Sequence, residues 1–409
     1  MIKILNLPYK SSPTAVNTNR LAQDLQTLLS RPDLGYLDLV NRKNLWDSSE
    51  QLAHKIQSQF EHVVIIGFGG SSMSARALVE ITHTKNISFL DNVDINEIIR
   101  TMSHINSLEK TAWIFISKSG NTIEVLALIN FLNQFLEEKN INLWKSSFYI
   151  TEQKNNPLYN LAQKHERPCL EIPVDVGGRF SFLSPAGMLI ARLCGLNIES
   201  IKQGAILALK DEEAVLKITE QYLSSFEDHK NISLFWFYNS SMRWFGGWLQ
   251  QLWAESLGKK MTRQNAVANP FSTPMIAIGS SDQHSILQQV MDGEKNKFIT
   301  FFRFNHIEKY NYTLNRSYFD ETTPLLNKKF GTLIEAQAQG TAEALLDNGI
   351  PQLTLEIEKL DEKNLGYLFM YFQIIVSLIG EYHDINAFDQ PGVQAGKNKT
   401  LEKLQSQRF

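Results

Sequence analysis

The chain has 409 residues, 43% hydrophobic and 20% charged, which is the composition of an ordinary globular protein. At this length we expect two domains or one large one, with a substantial buried core. The net charge of −3 provides no basic surface for nucleic acid or for an anionic membrane. An anionic small molecule therefore has to be held by a local site.

The cysteine content and the most apolar segment both indicate a cytoplasmic protein. Cys169 and Cys194 belong to no CxxC pair, and two scattered thiols suit a reducing compartment. The N-terminal residues have no apolar core of the kind that signal peptides contain. Leu365–Gly380 is uncharged but shorter than the roughly 20 residues of a membrane span, and it contains Gln373. We expect a buried core helix there and no membrane span.

Two neighbouring stretches of the first half have the same order of strand, turn rich in glycine and serine, and helix. This order is typical of βαβ units, which form parallel sheets. The predicted strands are His62–Ile66 and Trp113–Ile116, the turns are 67–72 and 117–122, and the helices are Met73–Glu80 and Ile123–Leu136.

The same order begins again after residues 201–230, which are polar and predict a solvated connecting helix. The second half has predicted strands at Ser233–Tyr238 and Pro274–Ile278, a helix at Met242–Glu255 and a long excursion at 303–330. We therefore predict an α/β fold of two doubly wound domains with mostly parallel sheets, a cleft between them and a C-terminal helical arm. The predicted divisions are 1–45 (N-terminal segment), 46–200 (first domain), 201–385 (second domain) and 386–409 (C-terminal helix).

The two turns of the first half favour a phosphate ligand. Ser117, Ser119 and Thr122 supply three hydroxyls within one turn at a helix N-terminus, and Gly120 allows close approach of the backbone. Ser72 occupies the third glycine position of GxGxxG and no GK[ST] follows, which argues against a nicotinamide dehydrogenase and a Walker A loop. The alternative is two ordinary turns whose Ser and Thr residues are helix N-caps.

Glu255 is the candidate base. On a helix it shares one face with Gln251 and lies near the C-terminal end, before Gly258. The helix end and the neighbouring Trp253 favour its use as a proton acceptor near neutral pH. The alternative is a surface glutamate paired with Lys259.

Three further residues are candidates for acid, base or cation roles. His284 follows the strand Pro274–Ile278, and Asp282 or Gln283 could orient its ring. Lys397 follows a predicted helix start at Pro391, with Asp389 or Gln390 as the cap. Arg179 follows two glycines. The alternatives are a structural histidine, an exposed lysine and an arginine without function.

Six segments, in order and spacing, resemble the phosphoglucose isomerase (glucose-6-phosphate isomerase) family. They are GFGGSS, SKSGNT, GGRFSFLSPAG, QQLWAESLGK, GSSDQH and FDQPGVQAGK, and the likeness runs from about residue 60 to residue 397. The resemblance implies two sugar-isomerase (SIS) domains, a homodimer, no cofactor and no metal. It implies interconversion of glucose 6-phosphate and fructose 6-phosphate through an enediolate, in glycolysis and gluconeogenesis.

The resemblance also implies roles for individual residues. Glu255 matches the base that moves a proton between C1 and C2, and Arg179 the cation that stabilises the enediolate. His284 matches a ring-opening histidine supplied by the partner subunit, and Lys397 a lysine that assists it. The positions that match substrate- and phosphate-binding residues are Gly70, Ser71, Ser117, Lys118, Ser119, Thr122, Gln251 and Gln390.

The chain departs from the family pattern at three positions. Members commonly have Glu at the position of Gln394, and Thr or Phe at the positions of Gly120 and Asn121. Two rival functions remain open: a dual phosphoglucose/phosphomannose isomerase and a non-catalytic SIS module that senses sugar phosphates. Such a sensor needs the phosphate loop but does not need all four of Glu255, His284, Lys397 and Arg179.

Overall fold

The computed structural model describes residues 2–5, 16–268, 272–304 and 312–406. The strands form two five-stranded sheets. In chain order they are β1 (Ile2–Leu5), β2 (His62–Ile66), β3 (Ile87–Leu90), β4 (Thr111–Ile116), β5 (Ser147–Thr151), β6 (Cys169–Glu171), β7 (Ile232–Phe237), β8 (Thr273–Ile278), β9 (Lys297–Phe304) and β10 (Gln352–Ile357).

The first sheet is parallel throughout and has the order β3-β2-β4-β5-β6. β2 has the predicted bounds, and β4 begins two residues before the predicted Trp113. Every residue of β4 is buried, as expected of a central parallel strand covered by helices on both faces.

The second sheet has the order β1-β10-β9-β7-β8, with β1 antiparallel and the other strands parallel. β7 and β8 lie within one residue of their predicted bounds. Two doubly wound α/β units are therefore present, as predicted. The N-terminal strand belongs to the second sheet, and the four divisions of the chain given above stay a prediction.

Helices cover both sheets. The α-helices are α1 (Thr18–Leu29), α2 (Gly35–Asp38), α3 (Lys43–Gln59), α4 (Met73–Thr82), α5 (Ile95–Ser103), α6 (Ile123–Glu137), α7 (Pro157–Lys164), α8 (Pro185–Leu193), α9 (Ile198–Lys210), α10 (Glu212–Glu227), α11 (Arg243–Leu257), α12 (Leu287–Asp292), α13 (Gly331–Asp347), α14 (Glu362–Tyr382) and α15 (Gln394–Ser406). Short 3-10 helices are Leu39–Asn41, Gly69–Ser71, Leu143–Ser146, Gly178–Leu183, Ser240–Met242, Ser281–His284, Asp320–Leu325 and Pro391–Val393.

The apolar segment Leu365–Gly380 forms most of α14. By length and composition α14 could cross a membrane, but its residues from Leu365 to Gly380 are all buried inside the protein. Phe369 stacks on Phe182 with ring centroids 3.6 Å apart. The prediction of a buried core helix is confirmed.

The prediction of a solvated connecting helix over 201–230 is wrong. Two helices, α9 and α10, occupy this region, and each has a buried face. Gly204 and Gly366 allow α9 to approach α14 closely, because a Cβ on either would lie 1.8 Å from a backbone oxygen of the other helix. Tyr222 of α10 is buried, and its hydroxyl bonds to Thr300 Oγ1 at 2.7 Å. Because polar residues cover one face of each helix, the sequence alone did not reveal the buried face.

The predicted excursion is present between β9 and α13. Residues 312–330 contain one 3-10 helix and no α-helix or β-strand, and residues 305–311 lie outside the described part of the chain. Tyr312, Tyr318 and Phe319 are exposed.

Candidate active site

The two glycine- and serine-rich turns lie side by side at the carboxyl edge of the first sheet. β2 is bonded to β3 on one side and to β4 on the other, so the chain winds in opposite directions from this point. Such a switch point leaves a crevice between the loops that follow the two strands. Gly67 is so close to the end of β4 that a Cβ there would lie 3.1 Å from Ile116 O. The two turns thus adjoin each other, as expected of loops that follow neighbouring parallel strands.

Hydrogen bonds shape residues 117–122 into a compact loop. Ser117 Oγ bonds to Thr122 Oγ1 at 2.8 Å and accepts from Gly120 N at 3.1 Å. Ser119 Oγ donates to Asn121 Oδ1 at 2.7 Å. Lys118 Nζ donates to a backbone carbonyl, that of Val174, at 3.0 Å. The hydroxyls of Ser117 and Thr122 therefore meet at the N-terminus of α6, and that of Ser119 is bonded to the neighbouring Asn121.

The alternative interpretation, that these turns contain ordinary N-caps, is wrong. Thr122 precedes α6 and Ser72 precedes α4, yet neither side chain makes a capping hydrogen bond. Gly120 has φ +67°, and a Cβ there would lie 1.8 Å from Asn156 Oδ1. Asn156 is buried and caps α7, so the loop also packs against the start of a second helix.

The first turn connects this loop to α11 and to Arg179. A Cβ on Gly69, which has φ +56°, would lie 2.8 Å from Gln251 Nε2. A Cβ on Gly70 would lie 2.6 Å from Arg179 N. Glycine is favoured at 69 by its positive φ and at 70 by the backbone of Gly178 and Arg179, which leaves no room for a Cβ.

Arg179, Gln251 and Glu255 form that cluster. Arg179 Nη1 donates to Glu255 Oε2 at 3.1 Å, and Gln251 Nε2 donates to Glu255 Oε1 at 2.9 Å. Arg179 is buried, whereas the Glu255 side chain keeps 27% of its surface exposed. Both carboxylate oxygens are therefore held in one orientation while the group remains open to a ligand.

Arg179 has further protein partners. Its Nε donates to Ser256 Oγ at 2.8 Å, and its Nη2 donates to Ala387 O at 2.6 Å and to Asp389 O at 2.9 Å. Burial lowers the pKa of Arg179, and the charge of Glu255 opposes that shift. A guanidinium has five N–H groups, and four of those of Arg179 have an acceptor among the described residues, which leaves one on Nη1.

Lys259 does not form the predicted surface ion pair with the Glu255 carboxylate. Its Nζ donates instead to the backbone oxygen of Glu255 at 2.8 Å and pairs with Asp389 Oδ1 at 2.9 Å. Gln251 Oε1 is buried and has no hydrogen-bond partner among the described residues. This oxygen can accept a hydrogen bond from a ligand hydroxyl.

Comparison with known proteins identifies the family. A sequence model described as phosphoglucose isomerase matches residues 47–408. The chain belongs to the phosphoglucose isomerase family. A glucose-6-phosphate isomerase of Campylobacter jejuni is 33% identical over 377 residues, which cover 89% of this chain and 90% of that protein.

Solved structures have the same fold. A hypothetical protein of Thermus thermophilus superposes with a TM-score of 0.86 at 27% identity, covering 95% of this chain and 94% of that one. A glucose-6-phosphate isomerase of Chlamydia trachomatis has a TM-score of 0.79 at 20% identity, covering 98% of this chain and 80% of that one.

In this member of the phosphoglucose isomerase family, His284 lies apart from the cluster. It is exposed, at the end of a 3-10 helix that follows β8. Neither predicted orienting residue contacts its ring: Asp282 Oδ2 accepts from Ile278 N at 2.6 Å, and Gln283 bonds to Thr341. The prediction that one of them orients His284 is wrong within this chain, because Asp282 completes a local turn and Gln283 is bonded to α13.

Glu255 and His284 are at opposite ends of the second sheet. Trp253, two residues before Glu255, donates to Ser272 just before β8, with a distance of 3.0 Å. His284 follows the other end of that six-residue strand. At about 3.3 Å per residue, the strand alone separates them by roughly 20 Å.

Lys397 and Gln390 belong to the C-terminal arm. Pro391–Val393 is a 3-10 helix, α15 begins only at Gln394, and the Gln390 side chain makes no capping bond. The helix therefore begins at Pro391, as predicted, with Gln390 at the N-cap position and a first turn that is 3-10. Every described residue of α15 is exposed, Lys397 included. Arg179 binds the carbonyls of Ala387 and Asp389, and Gln390 is the next residue, so the base of the arm adjoins the cluster.

Two residues that sequence reasoning missed stabilise the cluster: Ser256, bound to Arg179, and Asp389, bound to Lys259. Ser256 is next to Glu255 in sequence, which was a usable signal, but nothing in the sequence paired Lys259 with Asp389. In the described ranges, no group of three or more His, Cys, Asp or Glu residues is arranged to hold a metal ion.

Proposed function

We propose that this chain interconverts glucose 6-phosphate and fructose 6-phosphate, as an aldose–ketose isomerase of glycolysis and gluconeogenesis in the cytoplasm. One observation carries the proposal: the Arg179–Gln251–Glu255 cluster adjoins the glycine turn that lies beside the hydroxyl loop. An anion-binding loop and an ion-paired carboxylate thus line one crevice.

The roles follow from this arrangement. Ser117, Ser119 and Thr122 bind the phosphate, together with Lys118 and the turn at Gly70 and Ser71. Glu255 takes the C2 proton of the open-chain aldose and returns it at C1. A positioned base of this kind contributes about 10²–10⁴-fold in rate.

Charge and hydrogen bonding complete the site. The remaining N–H of Arg179 stabilises the enediolate oxygen as its charge develops. Gln251 Oε1 accepts from a sugar hydroxyl, and Gln390 contacts the substrate from the arm.

We further propose a homodimer in which His284 of one chain opens the sugar ring in the partner's site, assisted by Lys397. The separation of Glu255 from His284 by the length of β8 supports this arrangement. The exposed α15 also supports it, since Leu401 and Leu404 are 45% and 55% exposed. Apolar side chains on a helix are normally covered.

The direct test is conversion of fructose 6-phosphate to glucose 6-phosphate by the purified protein without added metal. Turnover supports the proposal, and phosphate binding without turnover would support the sensor module instead. Mannose 6-phosphate in the same assay distinguishes the dual isomerase, which would accept it at a comparable rate.

Mixing two inactive variants tests the shared site. In a dimer made of one variant alone, Glu255→Gln or His284→Gln inactivates both sites. In a mixed dimer one site combines an intact Glu255 with an intact His284 from the partner, so random mixing restores about one quarter of the sites. No recovery, with mixed dimers shown by mass spectrometry, would mean that His284 acts within its own chain.

A further inference from the structure

A largely buried lysine joins the end of α11 to the base of the C-terminal arm. Lys259 Nζ donates to Glu255 O at 2.8 Å and to Asp389 O at 2.5 Å, and it pairs with Asp389 Oδ1 at 2.9 Å. Its side chain is only 7% exposed, although the residue follows a helix end at the surface of the domain. The ammonium is therefore enclosed between two segments that are 130 residues apart in sequence.

The chemistry of a helix end explains why a cation lies here. The last carbonyls of an α-helix have no partner within the helix, and the helix dipole favours positive charge beside them. Burial lowers the pKa of Lys259, and the hydrogen bond that its ammonium donates to Asp389 opposes that shift. An ammonium has three N–H groups, and three protein oxygens accept them. None remains for a substrate.

Arg179 binds the same segment from the other side. Its Nη2 donates to Ala387 O and Asp389 O, so the carbonyl of Asp389 accepts from both cations. Asn386 Nδ2 donates to Asp389 Oδ2 at 2.9 Å and closes the turn. The backbone that leads into Gln390 is thus fixed on the helix turn that contains Glu255.

We propose that Lys259 is a positioning residue that sets the Glu255 carboxylate relative to Gln390 and the arm that contains Lys397. This inference rests on the proposed function. A helix end that is not capped can fray, and a shift of about 1 Å in a catalytic group costs about 10²-fold in rate. Lys259 prevents that shift without touching the substrate.

The test is Lys259→Met, which keeps an unbranched side chain of similar length and removes the charge. We expect kcat for fructose 6-phosphate to fall about 10²-fold. The inhibition constant of inorganic phosphate should not change, because residues 117–122 are held by other contacts. Lys259→Arg, which keeps a cation, should recover most of the loss. The matched control is Lys260→Met, the exposed neighbour, which should behave as the wild type.

A second measurement does not depend on activity. Hydrogen exchange of peptides covering 386–397 should be faster in Lys259→Met than in Lys260→Met, with no change in peptides covering 117–122. A wild-type protein that does not isomerise fructose 6-phosphate would defeat the proposed function, and the exchange difference would still test the link. An active wild type with equal kcat in both methionine variants would overturn the inference. So would a parallel loss of kcat and phosphate binding, which indicates general damage.

Discussion

The two α/β units each contain a five-stranded sheet, and their candidate site residues lie at different ends of those sheets. The first unit presents backbone N–H groups and hydroxyls at the carboxyl edge of β2 and β4, where loops follow parallel strands. The second contributes Gln251 and Glu255 to the same crevice from the end of α11, at the opposite end of its strands. Its own carboxyl edge has His284, which is exposed.

This difference separates binding from proton transfer. A phosphate carries its charge throughout the reaction and suits a rigid loop of neutral donors. The enediolate charge exists only briefly, so the groups that meet it must be held in place beforehand. Substitutions in the loop 117–122 should therefore change binding, and substitutions in the Arg179–Gln251–Glu255 cluster should change kcat.

The largest effect is expected for Glu255→Gln. The amide keeps the shape of the side chain and cannot accept the C2 proton, so kcat should fall by roughly 10³-fold or more. The inhibition constant of inorganic phosphate should be unchanged. Stopped assays at saturating fructose 6-phosphate measure this, with the exposed Glu213→Gln as the control. Activity within a few-fold of the wild type would remove Glu255 from the role of base.

Arg179→Lys should lower kcat by about 10²–10³-fold, because one ammonium cannot replace the N–H that faces the enediolate. It should also lower the unfolding temperature, since the carbonyls of Ala387 and Asp389 lose a donor. Steady-state kinetics and thermal unfolding measure the two effects. A variant that is destabilised but fully active would show that Arg179 acts only in folding.

Gly120→Ala should weaken phosphate binding by about tenfold, because a left-handed backbone costs a residue with a Cβ about 1–2 kcal/mol. The Cβ also meets Asn156 and displaces the loop. Gly195→Ala is the matched control, since Gly195 has φ +81° and open space around its Cα. Equal KM values for the two variants would mean that residues 117–122 do not bind the phosphate.

The smallest effect concerns an ion pair near the first unit, Asp175 with Arg42 at 2.6 Å. The hydrogen bond from Arg42 lowers the pKa of Asp175 below its usual 3.8, so the pair stabilises the folded state above that value. Asp175→Asn should cost at most about 1 kcal/mol at pH 7 without changing kcat. Urea unfolding should show the difference shrinking as the pH falls below 3.8. A difference that persists or grows at low pH would contradict the assignment.

Local sequence determined the elements and the loop chemistry. The apolar runs of β2 and β7 and the glycines that follow β2 each depend on neighbours in sequence, and their bounds agree with the structure to within one residue. The spacing of Gln251 and Glu255 likewise placed both on one helix face, where they bond. The prediction for the polar region 201–230 was wrong, because the face that is buried depends on contact with α14.

Tertiary structure alone decided which distant groups meet. No local sequence signal indicates that Lys259 pairs with Asp389 or that Arg179 contacts Glu255. None indicates that His284 lies at the far end of β8. Such contacts join segments more than 70 residues apart, and they follow from the winding of two sheets and the packing of helices between them. The residue types of the candidate site can be read from the sequence, and the distances between them depend on the fold.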